Sequence, residues 1–201
     1  LIANQITEIR GIMNGTSNYI LTKMKEDKLD FEEALHLAAE MGYAEADPSY
    51  DVDGIDAGHK IAILSSLAYG GYINFSEVYL QGIRDISLVD IFEAEKLGFS
   101  IKLIASSKIN EDKLVEISAE PILLKNEKLL SNVNDVYNAI EVTGSYTGKT
   151  LFYGKGAGME PTASAVISDI VKIATDSVIN SNFFFDTKSH LETVDTNKLK
   201  H

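Results

Sequence analysis

Glu45, Asp47, Asp51, Asp53 and Asp56 place five carboxylates within twelve positions, and Lys60 follows Asp56 by four. On a helix that spacing puts Asp56 and Lys60 on one face, a turn apart. So many acids in one stretch repel each other unless they are solvated or have cations to hold. A Lys beside carboxylates, at a point where the helix turns apolar, is a group that can take or give a proton, because the acids and burial act on it in opposite directions. A solvated acidic loop with one helical ion pair fits the same residues. So, less well, does a calcium loop: Asp51-Val-Asp53-Gly54 matches the middle of an EF-hand, but that register puts Ser49 and Lys60 where a carboxylate and a bidentate Glu are required.

Two further motifs could face a ligand. Asn14-Gly15-Thr16-Ser17-Asn18 offers helix-capping side chains or, equally, the polar wall of a pocket. Gly154-Lys-Gly156-Ala-Gly158, ahead of a helix, could bring backbone N–H groups to an anion, or could be a turn that lets the helix pack closely. It lacks the GxGxxG spacing and the following βαβ unit, so no independent dinucleotide domain is encoded. The four His, at 36, 59, 190 and 201, have no metal-like spacing, no metal site is expected, and His59 reads as a surface or interface side chain.

The elements that must position these groups are marked by local signals. Ile6, Glu8 and Arg10 alternate as in a strand, and a helix should run through Tyr19–Met24. Asp30 with Glu33 forms a capping box for a helix that ends at Gly42. Residues 43–54 read as a loop without regular structure, feeding a helix over Ile55–Tyr69. Ser87–Leu97 is a capped helix ended by Gly98, and strands are expected at 100–106, 113–119, 138–143 and 150–153. Pro161 opens a last helix, Thr162–Ile179, whose Val166, Ile170, Ile173 and Ala174 make an apolar stripe. From there the pattern decays through Phe183–Phe185 into a polar tail.

Composition bounds the class. The 201 residues are 45% hydrophobic and 24% charged, as in globular proteins, and allow one good-sized domain. A net charge of −12 is the wrong sign for unaided contact with nucleic acid or an anionic membrane. There is no Cys, no run long enough for a membrane helix and no signal-peptide pattern, so the chain reads as soluble and cytoplasmic. Leu in place of an initial Met reads as a piece of a longer product.

Taken together, Gly11-Ile-Met-Asn14-Gly15-Thr16-Ser-Asn18-Tyr19, Gly42-Tyr43-Ala44-Glu45-Ala-Asp47-Pro48 and Asp51-Val-Asp53-Gly54-Ile-Asp56-Ala57 with Lys60 resemble homoserine dehydrogenase. The likeness continues through Gly98-Phe-Ser-Ile-Lys102-Leu and Gly154-Lys-Gly156-Ala-Gly158-Met-Glu-Pro161-Thr162-Ala163, and covers about residues 9–179. That family interconverts L-homoserine and L-aspartate 4-semialdehyde with NADP or NAD, on the route to threonine, isoleucine and methionine. The resemblance implies that Lys60 is the proton donor and acceptor, that Glu45 and Asp56 bind substrate, and that Gly42, Gly158 and Thr16 lie by the cofactor. It implies that Asp51 shapes the site.

The implied fold is α+β, a mixed β-sheet covered by helices, similar to the C-terminal domain of glyceraldehyde-3-phosphate dehydrogenase. Residues 1–160 would be the substrate-binding and dimerisation domain of a homodimer. Residues 161–180 would be a helix packed on the nucleotide-binding domain, and 181–201 a tail. The family's Rossmann-type domain, its second catalytic lysine and its backbone-carbonyl site for a monovalent cation belong upstream and are not in these residues. No regulatory ACT domain is recognisable, so feedback control by threonine is not supported. Alone, the chain would bind cofactor poorly and turn over little. The rival reading is a non-catalytic dimeric module that binds an amino acid through Glu45 and Asp56.

Overall fold

The computed structural model describes residues 3–175 and 186–194. Strand β1 (Ile6–Ile12) leads into α1 (Gly15–Glu26), followed by α2 (Phe31–Glu40), the one-turn helix α3 (Ser49–Val52) and α4 (Ile55–Tyr69). After β2 (Gly71–Tyr72), a 3-10 turn (Phe75–Glu77) and β3 (Tyr79–Leu80) comes α5 (Leu88–Lys96). Two hairpins follow, β4 (Phe99–Ile109) with β5 (Val115–Lys125) and β6 (Tyr137–Gly144) with β7 (Gly148–Lys155); α6 (Met159–Thr175) and β8 (Asp186–His190) come last.

Six strands form one sheet in the order β3-β5-β4-β1-β6-β7, with β3 parallel to β5 and every other pair antiparallel. This is the mixed, helix-flanked α+β architecture expected. Strand alternation decides which residues meet the helices. Leu103 and Ala105 of β4 join the main core with Ile20, Met24 and Ile61, whereas Ile104 between them joins a smaller cluster with Ile12, Leu124, Leu130 and Val133 on the opposite face. A 3-10 turn, Leu129–Asn132, supplies Leu130 to that second cluster.

The helix ends follow their local chemistry. Asp30 Oδ1 accepts from the Glu33 N–H at 2.9 Å and Glu33 Oε2 accepts from the Asp30 N–H at 3.0 Å, closing the capping box. Gly42 then takes φ +75°, and the Tyr43 and Gly42 N–H groups donate to the Ala38 and Ala39 carbonyls, a Schellman ending. The same chemistry, Ser87 with Asp90, starts α5.

Two elements depart from the sequence reading. The 43–54 stretch is not wholly irregular: Asp47 accepts from the Ser49 N–H at 3.1 Å, which starts α3, and Val52 is completely buried. Part of the 181–201 segment read as a tail is strand β8, which runs parallel to β2. Glu77 anchors it by accepting from Thr193 Oγ1 at 2.8 Å and facing His190 Nε2 at 2.7 Å, partners more than a hundred residues away that no local pattern announces. The expected end of α6 at Ile179 and the Phe183–Phe185 run lie outside the described residues.

One close approach fixes the acidic loop against the sheet. Ile83 N–H donates to the Val52 carbonyl at 2.8 Å, and a Cβ at Gly82 would sit 2.5 Å from that carbonyl oxygen and 2.7 Å from Asp53 Cα. Both obstacles are backbone and cannot rotate away. Gly82→Ala is therefore expected to cost about 1–3 kcal/mol, read as a thermal midpoint lower by several degrees; an unchanged midpoint would show that the loop is free to shift.

Candidate active site

The main cleft, about 440 Å³, opens where β1 gives way to α1 and is closed by α4, by the Gly42–Tyr43 turn and by β6 with the glycine-rich segment after β7. Asn14, the N-cap of α1, does two things at once. Its Oδ1 accepts from the Ser17 N–H at 2.8 Å, while its Nδ2 donates to Asp51 Oδ1 at 2.6 Å and Asp56 Oδ2 at 3.0 Å. Capping and pocket wall, read from sequence as alternatives, are both true of this motif.

The predicted spacing of Asp56 and Lys60 is realised on the first turns of α4. Lys60 Nζ donates to Asp56 Oδ2 at 2.7 Å and to the Met13 carbonyl at 2.9 Å. Lys60 is half exposed, so its reach into the cleft is set by these two acceptors rather than by burial. Gly54, at φ +79°, lets the chain enter α4 without a side-chain cap.

Four of the five acids have partners that answer their mutual repulsion. Asp56 has Lys60 and Asn14, Asp51 has Asn14, and Arg84 Nε and Nη2 reach Asp53 at 2.5 and 3.2 Å, with Nη2 also bonded to Ser49. Asp47 accepts from Ser49, which holds its carboxyl below the usual range.

Glu45 is exposed and does not line the cleft: the turn after α2 carries it outward while α3 brings Asp51 inward. Thr16, Gly42 and Gly158 do line it. The Thr16 hydroxyl donates to the Tyr43 carbonyl at 2.8 Å and so pins the Gly42 turn to α1. A Cβ at Gly42 would meet nothing of the chain, which leaves a bare wall facing the cleft.

Sequence reasoning missed Asn138 and Arg84. Asn138 enters the cleft from β6, and Arg84 lies far from the acids in sequence. Tyr50, on α3, is exposed and faces the His59 ring at 5.8 Å, which in turn stacks on Phe75 at 3.7 Å. His59 is thus a packed aromatic layer behind the cleft. Among the described residues no group of three or more His, Asp or Glu is arranged to hold a metal ion, and no helix is long and apolar enough to cross a membrane.

The arrangement is chemically able to move a proton. A Lys ammonium fixed by two acceptors adjoins a pair of carboxylates able to meet a cationic group, in a cleft also lined by Gly42, Gly156 and Gly158. Comparison with known proteins gives this geometry a family. The homoserine dehydrogenase family model matches residues 1–171. The homoserine dehydrogenases of Synechocystis sp. and Helicobacter pylori are each 49% identical to this chain, over 85% and 87% of it and 40% and 41% of their own lengths.

Among solved structures, a homoserine dehydrogenase from Thiobacillus denitrificans superposes with a TM-score of 0.89 at 39% identity, covering 96% of this chain and 46% of that one. A hyperthermophilic archaeal homoserine dehydrogenase in complex with NADPH gives 0.72 at 32% identity, covering 87% of this chain and 49% of that one. The chain thus spans about 40% of the length of the curated relatives it matches. On the cleft, the fold and these matches together, the chain belongs to the homoserine dehydrogenase family.

Proposed function

We propose that this chain is the substrate-binding and proton-transfer part of an NAD(P)-dependent oxidoreductase that interconverts L-homoserine and L-aspartate 4-semialdehyde. The observation that carries the reading is Lys60 Nζ held between Asp56 Oδ2 and the Met13 carbonyl in a glycine-walled cleft. Oxidation of the substrate alcohol removes a hydride from its carbon and a proton from its oxygen. Uncharged Lys60 accepts that proton, and its ammonium returns it in the reverse direction. Asp56 and Asp51, bridged by Asn14, face the substrate ammonium, with Glu45 as a further substrate-binding acid.

The nicotinamide, when bound, accepts or supplies the hydride. The residues present fit a flat ring, since Gly42 and Gly158 present backbone without side chains on part of the cleft wall. The chain's own cationic group there is Lys60, so the dinucleotide phosphates and the choice of NADP or NAD fall to the nucleotide-binding part of the whole protein, as does the family's monovalent cation. In this reading residues 1–160 form the catalytic and dimerisation domain of a cytoplasmic homodimer. Helix α6, which has no buried residue, lays Val166, Ile170 and Ile173 against the nucleotide-binding part.

The test is formation of reduced cofactor from L-homoserine at alkaline pH, using the protein at the full length of its relatives and the 201-residue chain in parallel. Turnover is expected from the former and little from the latter. A folded full-length protein inactive with both NAD and NADP would overturn the proposal.

A further inference from the structure

The Met13 carbonyl, at the junction of β1 and α1, is shared. It accepts from Lys60 Nζ at 2.9 Å on one side and from Asn138 Nδ2, on β6, at 3.3 Å on the other. Asn138 is wedged into place: a Cβ at Gly156 would collide with its amide nitrogen, and one at Gly15 would lie 3.6 Å from its Oδ1. That Oδ1 is buried and has no hydrogen-bond partner. A buried orphan acceptor costs stability, a cost that an apolar residue of similar size would avoid. What the Asn side chain supplies, and an apolar one cannot, is the N–H to Met13.

Resting on the proton-transfer reading above, we infer that Asn138 is a positioning residue for Lys60. By occupying the second lone pair of the Met13 carbonyl it fixes the orientation of that peptide. The peptide in turn sets the direction of Lys60 Nζ, whose other anchor is Asp56 on its own helix. Two anchors leave the third N–H direction of the ammonium for the substrate oxygen. Misplacing a catalytic group by about 1 Å can cost on the order of 10²-fold in rate, so a small rotation at Met13 is enough to matter. The titratable groups facing Lys60 across the cleft are Asp56 on α4, Asp51 and Tyr50 on α3, and Tyr43 after α2.

The test is steady-state kinetics and thermal unfolding of the complete enzyme carrying Asn138→Ala or Asn138→Asp, beside the parent and Lys60→Ala. Asn138→Asp keeps the shape, cannot donate to Met13 when ionised, and adds a negative charge that favours the Lys60 ammonium. The expected result is a kcat lower by about 10- to 100-fold in both variants. KM for homoserine should stay within about threefold by the same reasoning, since substrate binding is left to other groups. In Asn138→Asp alone, the rise of the oxidation rate with pH should move to higher pH.

A kcat within about twofold of the parent in both variants, with unchanged pH profiles, would overturn the inference. So would a raised KM at constant kcat, which marks a binding residue. Equal losses of kcat and thermal midpoint with no pH shift in Asn138→Asp would overturn it too, as a purely structural role. A parent inactive toward homoserine would instead sink the underlying functional reading, so the two failures are distinguishable.

Discussion

Lys60→Ala in the full-length protein is expected to lower kcat for L-homoserine oxidation by about 10²- to 10⁴-fold. That corresponds to roughly 3 to 5 kcal/mol of transition-state stabilisation. The side chain is half exposed and its ion pair with Asp56 is worth little to the fold, about 0–1 kcal/mol for a pair so accessible. The loss should therefore fall on turnover, with the thermal midpoint nearly unchanged. Lys60→Arg separates charge from proton transfer. A guanidinium can still pair with Asp56, yet it does not give up its proton, so Arg should rescue binding and not kcat. A protein that merely binds an amino acid through its acids would tolerate Lys60→Ala at nearly full affinity. Turnover within tenfold of the parent would remove Lys60 from the chemistry.

The second large effect concerns Lys102, which is only 3% exposed. From the β1–β4 register, Arg10 opposite Ser106 and Gly11 opposite Ala105, Lys102 lies beyond the end of β1, where the chain has turned into α1. Its Nζ donates to Asn18 Oδ1 at 3.1 Å, to the Val133 carbonyl at 2.6 Å and to Asn134 Oδ1 at 2.9 Å, all neutral acceptors. Burial, aided by the Lys25 charge, pushes its ammonium down to about 8 from the ordinary lysine value.

The sign follows from proton binding. Between about pH 8 and 10.5 the unfolded chain holds a proton on this lysine that the folded chain has released, so stability rises with pH across that window. The full span is about 3 kcal/mol. Lys102→Met removes this slope and leaves Asn18 Oδ1 and Asn134 Oδ1 without their donor, each costing on the order of 1–3 kcal/mol, while the Val133 carbonyl keeps its bond from Asn18 Nδ2. Relief of the buried charge, about 3 kcal/mol, offsets part of that cost near neutrality. The variant is therefore expected to be modestly less stable at pH 7 and markedly less stable near pH 10. Urea unfolding of parent and variant at both pH values measures the difference, in which the other lysines and the partly buried Tyr69, pushed up to about 12, cancel. Parallel stabilities at the two pH values would mean that Lys102 titrates as an exposed amine.

These two lysines show what local pattern can and cannot carry. Lys60 was legible because its partner Asp56 is a helical turn away, and the capping boxes at Asp30 and Ser87 were legible for the same reason: every participant lies within four residues. Lys102 looked like any strand residue, since its acceptors sit on α1 and in the 133–134 segment, 31 or more residues away. Asn138 and Arg84 likewise reach their partners only through the fold. Strands β2 and β3, two residues each, are too short to show a period, and β8 exists because Glu77 and β2 receive it. Glu45 was chosen by resemblance, and the outward turn after α2 was invisible to any motif.

The return of the chain at β8 has a consequence for α6. The helix leaves the body at the end of β7 and the polypeptide is tied down again at β2, so α6 is an arm fastened at both ends. The entropy of closing such an excursion grows only with the logarithm of its length. Under the proposed architecture the nucleotide-binding part is on the same polypeptide, joined upstream of β1, and meets Val166, Ile170 and Ile173 at an effective concentration set by that join, which for short links is in the millimolar range. Weak contacts then suffice to keep the arm covered, and opening the cleft to exchange cofactor becomes a local, reversible peeling rather than a dissociation.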